Sequence, residues 1–165
     1  MIWINFCRNG GKDACFFTFS HALFSISHLS MFLGEAVQFT RKIKGNTVPF
    51  TIVGWGHKPT ADKARCYALK HNLPYIALED GFLRSLDLGC KGAQPLSLVV
   101  DHTGIYYDAT GPSDLENLLN GSGGDSEGQL QSAQHAIEAI KRHDLSKYNH
   151  APRAAERLLG DASCP

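Results

Sequence analysis

Two apolar runs, Phe50-Thr-Ile-Val53 and Tyr75-Ile-Ala-Leu78, stand on either side of a segment with helical character. No other feature narrows the fold as much. Short apolar runs bounded by turn residues read as buried strands. Between them, Ala61, Ala64, Tyr67 and Ala68 share one face, and Thr60 is suited to cap a helix that runs to about His71 and stops at Leu73-Pro74. Strand, helix and strand make a βαβ unit, which demands a parallel pair. Phe16-Phe-Thr-Phe19 within Cys15–Ser20 predicts a further strand, and Ala36–Phe39 another. Leu23, Ile26, Leu29 and Leu33 predict one helix over His21–Leu33, ended by Gly34. The expected class is therefore α/β: a Rossmann-like, mostly parallel sheet flanked by helices.

The C-terminal third is simpler to read. Leu96–Asp101 and Ile105–Asp108 around His102-Thr-Gly104 predict a hairpin. Pro112-Ser-Asp114 opens a short helix to Leu119, and Asn120–Gly124 reads as a flexible linker. Residues 127–142 predict an amphipathic helix with Leu130, Ala133, Ile137 and Ile140 on one stripe. The expected layout is a lobe over residues 15–149 and an irregular tail over 150–165.

The chain of 165 residues carries 16 basic and 16 acidic side chains, so nothing in its bulk charge draws it to nucleic acid. Its five cysteines contain no Cys-x-x-Cys pair, which speaks for a reducing, cytoplasmic setting. The apolar start lacks the features of a signal peptide, and no run reaches the about 18 residues that span a bilayer. Eight histidines without clustered spacing predict no metal site, and no cofactor is expected.

In open α/β sheets, chemistry collects beyond the carboxyl ends of the strands. Glu79, Asp80 and Arg84 follow the Tyr75–Leu78 run, and Trp55, His57 and Lys58 follow Phe50–Val53. Glu79 and Asp80 suit general acid–base work, although neighbours in a strand point apart. Arg84 suits a carboxylate, and the Gly54-Trp-Gly-His-Lys58 loop suits an anion at a helix start. Ordinary turn chemistry and an Arg84 pair with Asp80 or Asp87 explain the same residues equally well.

Taken together, Gly54-Trp-Gly-His-Lys-Pro-Thr60, Leu73–Ser85, Pro95–Asp101, Gly104-Ile-Tyr-Tyr-Asp-Ala109, Leu145–Asn149 and His28–Gly34 resemble the capsule polysaccharide biosynthesis and export proteins of the KpsC/LipB type. The resemblance implies a retaining glycosyltransferase adding β-Kdo from CMP-Kdo, the donor substrate, to a lipid-linked glycan acceptor. It also implies two Rossmann-like lobes of GT-B type, this chain matching the N-terminal, acceptor-side one. Such proteins work in the cytoplasm, peripheral to the inner membrane, beside the capsule export machinery. After Asn149 the family continues into a Val-Leu-Val-Val-Asp-Gln-Thr strand, whereas this chain has Arg153–Leu159; Gly160-Asp-Ala-Ser163 then matches again. By that match Asp161 is the nucleophile, Glu79 or Asp80 handles the acceptor proton, and Arg84, His57, Lys58 and Trp55 bind substrate. The expectation is a truncated part, inactive alone for want of the nucleotide-binding half. The alternative is a non-catalytic module that binds a glycan or a partner in capsule assembly. A serine hydrolase is disfavoured, since no Gly-x-Ser-x-Gly elbow is present.

Overall fold

The computed structural model describes residues 15–43, 50–121 and 126–147. Five strands form one sheet in the order β2-β1-β3-β4-β5. They are β1 (Cys15–Thr18), β2 (Val37–Phe39), β3 (Phe50–Trp55), β4 (Tyr75–Asp80) and β5 (Leu98–Asp101). The first four are mutually parallel, and β5 runs antiparallel to β4. This is the expected α/β, Rossmann-like class. The chain leaves β1 toward β2 on one side and later returns with β3 on the other. The order of strands therefore reverses between β1 and β3, where open sheets part at their carboxyl edge and leave a crevice.

Side chains alternate between the two faces, and each face has its own core. Phe16, Val53, Ile76 and Leu78 meet Leu23, Leu29 and Leu33 on one side. Phe50 and Ile52 meet Ala64 and Ala68 on the other. Leu78, Ile52 and Val53 are inaccessible to solvent, as expected for the middle of a sheet covered on both faces.

The second face is covered by α3 (Pro59–His71). It opens on Pro59, whose missing N–H costs nothing in a first turn. Thr60 lies inside it and is not the cap; Lys58 holds that position in extended conformation. Asn72 ends the helix in left-handed conformation, at φ 51°.

The first face departs from expectation. The single helix predicted over 21–33 is two short ones, α1 (His21–Phe24) and α2 (Leu29–Leu33). Serines break it. Ser25 Oγ donates back to the His21 carbonyl, and the Ser27 N–H donates to Gln94 Oε1. A His28 ring nitrogen lies 2.8 Å from the Pro95 carbonyl, so a distant loop fixes the interruption.

The predicted hairpin fails as well. Residues 105–108 form a turn, with the Asp108 N–H bonded to the Ile105 carbonyl. The cause is Asp101. Its Oδ1 accepts from the N–H groups of Thr103, Gly104 and Asp114, folding the chain toward the next helix. A side chain at Gly104 would place a Cβ 2.3 Å from the Pro112 carbonyl oxygen, so this fold-back requires glycine. The partner of β5 is β4, which is lengthened to Asp80 by pairing with Leu98.

Ser113 caps α4 (Asp114–Asn120). The last helix, α5 (Glu127–Arg142), has the predicted bounds and opens on a capping box of Ser126 and Gln129.

Candidate functional site

A cleft of about 520 Å³ opens at the crevice between the carboxyl ends of β1 and β3. Ser20, just past β1, lines one wall, with Trp55 and Lys58 from the β3–α3 junction opposite. Asp80, Arg84 and the 88–95 loop close it. Four of the residues singled out from sequence, Trp55, Lys58, Asp80 and Arg84, thus share one cavity.

Asp80 is the last residue of β4 and is on the same face as Leu78. Arg84 is buried four residues later. Its Nε donates to Asp80 Oδ1 at 2.6 Å, and its Nη1 donates to Ser85 Oγ and to the Ala93 carbonyl. Gly89 admits the guanidinium, since a Cβ there would sit 2.5 Å from Nη2. Arg84 therefore holds Asp80 and the 85–93 loop in one arrangement. Burial of such a pair costs desolvation, which these additional hydrogen bonds offset. Above the cleft, Lys58 Nζ lies 5.5 Å from the Trp55 ring centroid and is exposed to solvent.

Glu79 turns away from Asp80, as neighbours in a strand do. Its Oε1 accepts from Trp55 Nε1 at 3.1 Å and from the Asp80 N–H. Its other oxygen lies beside Gly56 and near the Tyr107 hydroxyl. A Cβ on Gly56, which has φ +45°, would fall 2.6 Å from Glu79 Oε2 and 2.2 Å from Tyr107 Oη. Both the backbone angle and the crowding demand glycine there. Tyr107 Oη accepts from the His57 N–H at 3.1 Å. Burial, and then the Glu79 carboxylate, push the Tyr107 phenol above its ordinary pKa.

His57 stands apart from Lys58. It faces Asp108, with Nε2 3.4 Å from Oδ2, and lines a different cavity on the α3 side of the sheet. Hydrogen bonds from Thr110 hold Asp108 below the usual carboxylate range, with His57 helping. Asp161 lies outside the described residues. Among the described residues no group of His, Cys, Asp and Glu side chains is arranged to hold a metal ion.

Sequence reading missed Tyr107 and Asp108. Their apolar run fits a hairpin strand, and only the turn set by Asp101 brings them to Glu79 and His57. The signal was Asp101-His-Thr-Gly104, an Asx-turn pattern that also fits a hairpin tip.

Known proteins share this arrangement of the chain. Residues 51–161 match the family described as capsule polysaccharide biosynthesis protein. The capsule polysaccharide modification protein LipA of Neisseria meningitidis serogroup B is 47% identical over 137 residues, 83% of this chain and 19% of that protein. The lipopolysaccharide-processing protein LpsZ of Rhizobium meliloti is 42% identical over 102 residues, 61% of this chain and 23% of its own. Among solved structures, Thermosulfurimonas dismutans KpsC, beta Kdo 2,4 transferase, superposes with TM-score 0.75 at 45% identity, over 87% of this chain and 45% of that one. The KpsC beta Kdo 2,7 transferase of the same organism gives TM-score 0.52 at 28% identity, over 88% and 46%. The chain therefore spans about a fifth of the length of the curated relatives it matches and under half of the two structures. With the family model matched from the second residue of β3 onward, the chain belongs to the capsule polysaccharide biosynthesis protein family.

Proposed function

We propose that this chain is the acceptor-side lobe of a retaining β-Kdo transferase acting in capsule assembly. One observation carries the reading. The cleft at the strand-order reversal is lined by Trp55, Lys58 and an Arg84-clamped Asp80, in a chain 45% identical to a KpsC beta Kdo 2,4 transferase.

The proposed chemistry has two displacements. Asp161 attacks the anomeric carbon of CMP-Kdo, CMP departs, and a glycosyl ester forms. An acceptor hydroxyl then attacks that carbon and expels the Asp161 carboxylate, while Asp80 takes the hydroxyl proton. Asp80 is preferred over Glu79 because it faces the cleft, whereas Glu79 is engaged by Trp55 Nε1 and the Asp80 N–H. Arg84 is a positioning residue for Asp80. Lys58, exposed over Trp55, meets the carboxylate of the terminal Kdo. His57 and Tyr107 set the Glu79 side of the loop.

The proposed acceptor is a lipid-linked glycan presented at the inner face of the inner membrane, near the export machinery. Among the described residues no helix is long and apolar enough to cross a membrane. CMP-Kdo is the donor substrate, and no cofactor is invoked. These 165 residues by themselves are proposed to bind acceptor without turnover, since transfer also needs the donor held within about 1 Å of the reacting geometry.

The test is titration of the chain with a Kdo-terminated glycolipid in micelles, with and without CMP-Kdo. Saturable binding that weakens in Lys58→Ala, with no CMP released, is expected. Absence of binding overturns the acceptor-lobe reading, and CMP release from these residues overturns the claim that they are inactive alone.

A further inference from the structure

The α3 face of the sheet holds a second cavity, of about 230 Å³, between α3, the β4–β5 pair and the 101–108 turn. Two buried side-chain atoms of the described residues have no partner in hydrogen-bonding geometry, Tyr75 Oη, which has the Arg65 guanidinium nearby, and Asp101 Oδ2. Both residues line this one cavity. Ala77 pairs directly with Asp101 across β4 and β5, so Tyr75, Ala77 and Asp101 lie on the same face.

Asp101 is 1% exposed. Three backbone N–H groups on Oδ1 fix its carboxylate, leaving Oδ2 turned from them without a donor. A buried polar atom left unsatisfied costs about 1–3 kcal/mol, and native proteins carry few of them. Two in the wall of one cavity call for an occupant.

We propose that this cavity is a saccharide-binding site, distinct from the cleft, that takes the hydroxyls of a neutral sugar on Tyr75 and Asp101. The charges in the wall select the ligand. Arg65 is already bonded to the Gly56 carbonyl and to Asp62, and His57 faces Asp108. A free cation meets Arg65, a free anion meets Asp101 and Asp108, and neither gains. A sugar hydroxyl both donates, which Asp101 Oδ2 requires, and accepts, which Tyr75 Oη supplies. Burial pushes the Tyr75 phenol above its ordinary pKa, so it keeps its proton for donation. Ala77, Ile105 and the Tyr75 ring give an apolar floor for the sugar carbons. The volume exceeds the about 30 Å³ share of a liquid water several-fold, room for more than a bridging solvent molecule.

The site stands whether or not Kdo transfer is the activity, because it shares no lining residue with the cleft. The experiment is an amide-resolved NMR titration of the full chain with D-glucose, D-galactose and N-acetylglucosamine, with ammonium chloride and sodium sulfate as charged controls. Saturable shifts at residues 101–104 and at Arg65 with at least one sugar are expected. Tyr75→Phe, which removes the hydroxyl and leaves the ring in place, is expected to weaken that sugar about three- to tenfold while the protein stays folded. Asp101→Asn, which replaces a charged acceptor by a neutral amide donor, is expected to weaken it by at least as much. No shift with any sugar, preferential response to ammonium or sulfate, or unchanged affinity in Tyr75→Phe overturns the site. Shifts at Trp55 and Ala93 report the cleft instead, so the failure of either site is separately visible.

Discussion

Two helices of this chain, α3 and α5, reverse the usual relation between pattern and packing. By sequence α5 is the more convincing amphipathic helix, yet it buries nothing: Leu130, Ile137 and Ile140 are 53%, 46% and 37% exposed. By contrast α3 has a weak stripe of alanines, yet Ala61, Ala64 and Ala68 are almost completely covered. Apolar period reports that a helix forms; side-chain size decides how closely it can approach a sheet. Alanines let α3 lie against β3 and β4, so that its start projects Lys58 over Trp55. Local bonds sustain α5 instead: its capping box and the pairs Gln131–Glu127 and Gln134–Glu138. Beyond its end, the Lys147 carbonyl accepts from the N–H groups of Arg84 and Ser85 and ties the chain to the body.

The largest effect is expected where that link meets the cleft. Arg84→Ala leaves Asp80 without its buried partner and is expected to cost about 3–5 kcal/mol in urea unfolding. A loss under about 1 kcal/mol would place the pair among weak surface bridges. Next, Ala64→Leu forces a larger side chain between α3 and the sheet and is expected to cost about 1–3 kcal/mol. The matching change on the bare helix, Ala133→Leu, is expected to stay within about 0.5 kcal/mol in the same measurement. Equal costs for the two would erase the contrast between the helices.

The smallest effect is a pH dependence confined to the α3 face. Burial raises the folded-state pKa of Tyr75 above its ordinary 10.0. Below pH 10 the phenol is protonated in both states, and its contribution to stability is whole. Above it the unfolded chain ionises first, so stability is lost as pH rises through the raised folded value. Unfolding midpoints from pH 9 to 11 are expected to fall more steeply for the wild type than for Tyr75→Phe. Parallel curves would remove Tyr75 from the buried groups.

Much of the sheet was legible because its strands are apolar on both faces and carry their own punctuation. Phe50–Val53 and Tyr75–Leu78 needed only their turn residues to be recognised, and α5 followed from the stripe of Leu130, Ala133, Ile137 and Ile140. What stayed hidden depends on bonds between distant residues. Nothing local says that Gln94 and Pro95 will split the 21–33 helix, or that Asp101 will gather Asp114 and undo a hairpin. At the site, sequence grouped Trp55, His57, Lys58, Glu79, Asp80 and Arg84 past the parallel strands, and the structure brings Trp55, Lys58, Asp80 and Arg84 of these to one cleft. It had no means of sending His57 to Asp108, or Glu79 to Trp55 and Tyr107, because side-chain direction at a strand end is decided by what packs there.

The most direct measurement is a residue-resolved map of where a Kdo-terminated saccharide sits on the chain, from amide shifts followed by titration in Asp80→Asn. The account predicts saturable shifts at Trp55, Lys58, Gly89 and Ala93, around the cleft that Arg84 and Asp80 close. Shifts confined to α5, or to the amino-terminal edge of the parallel strands, would contradict it.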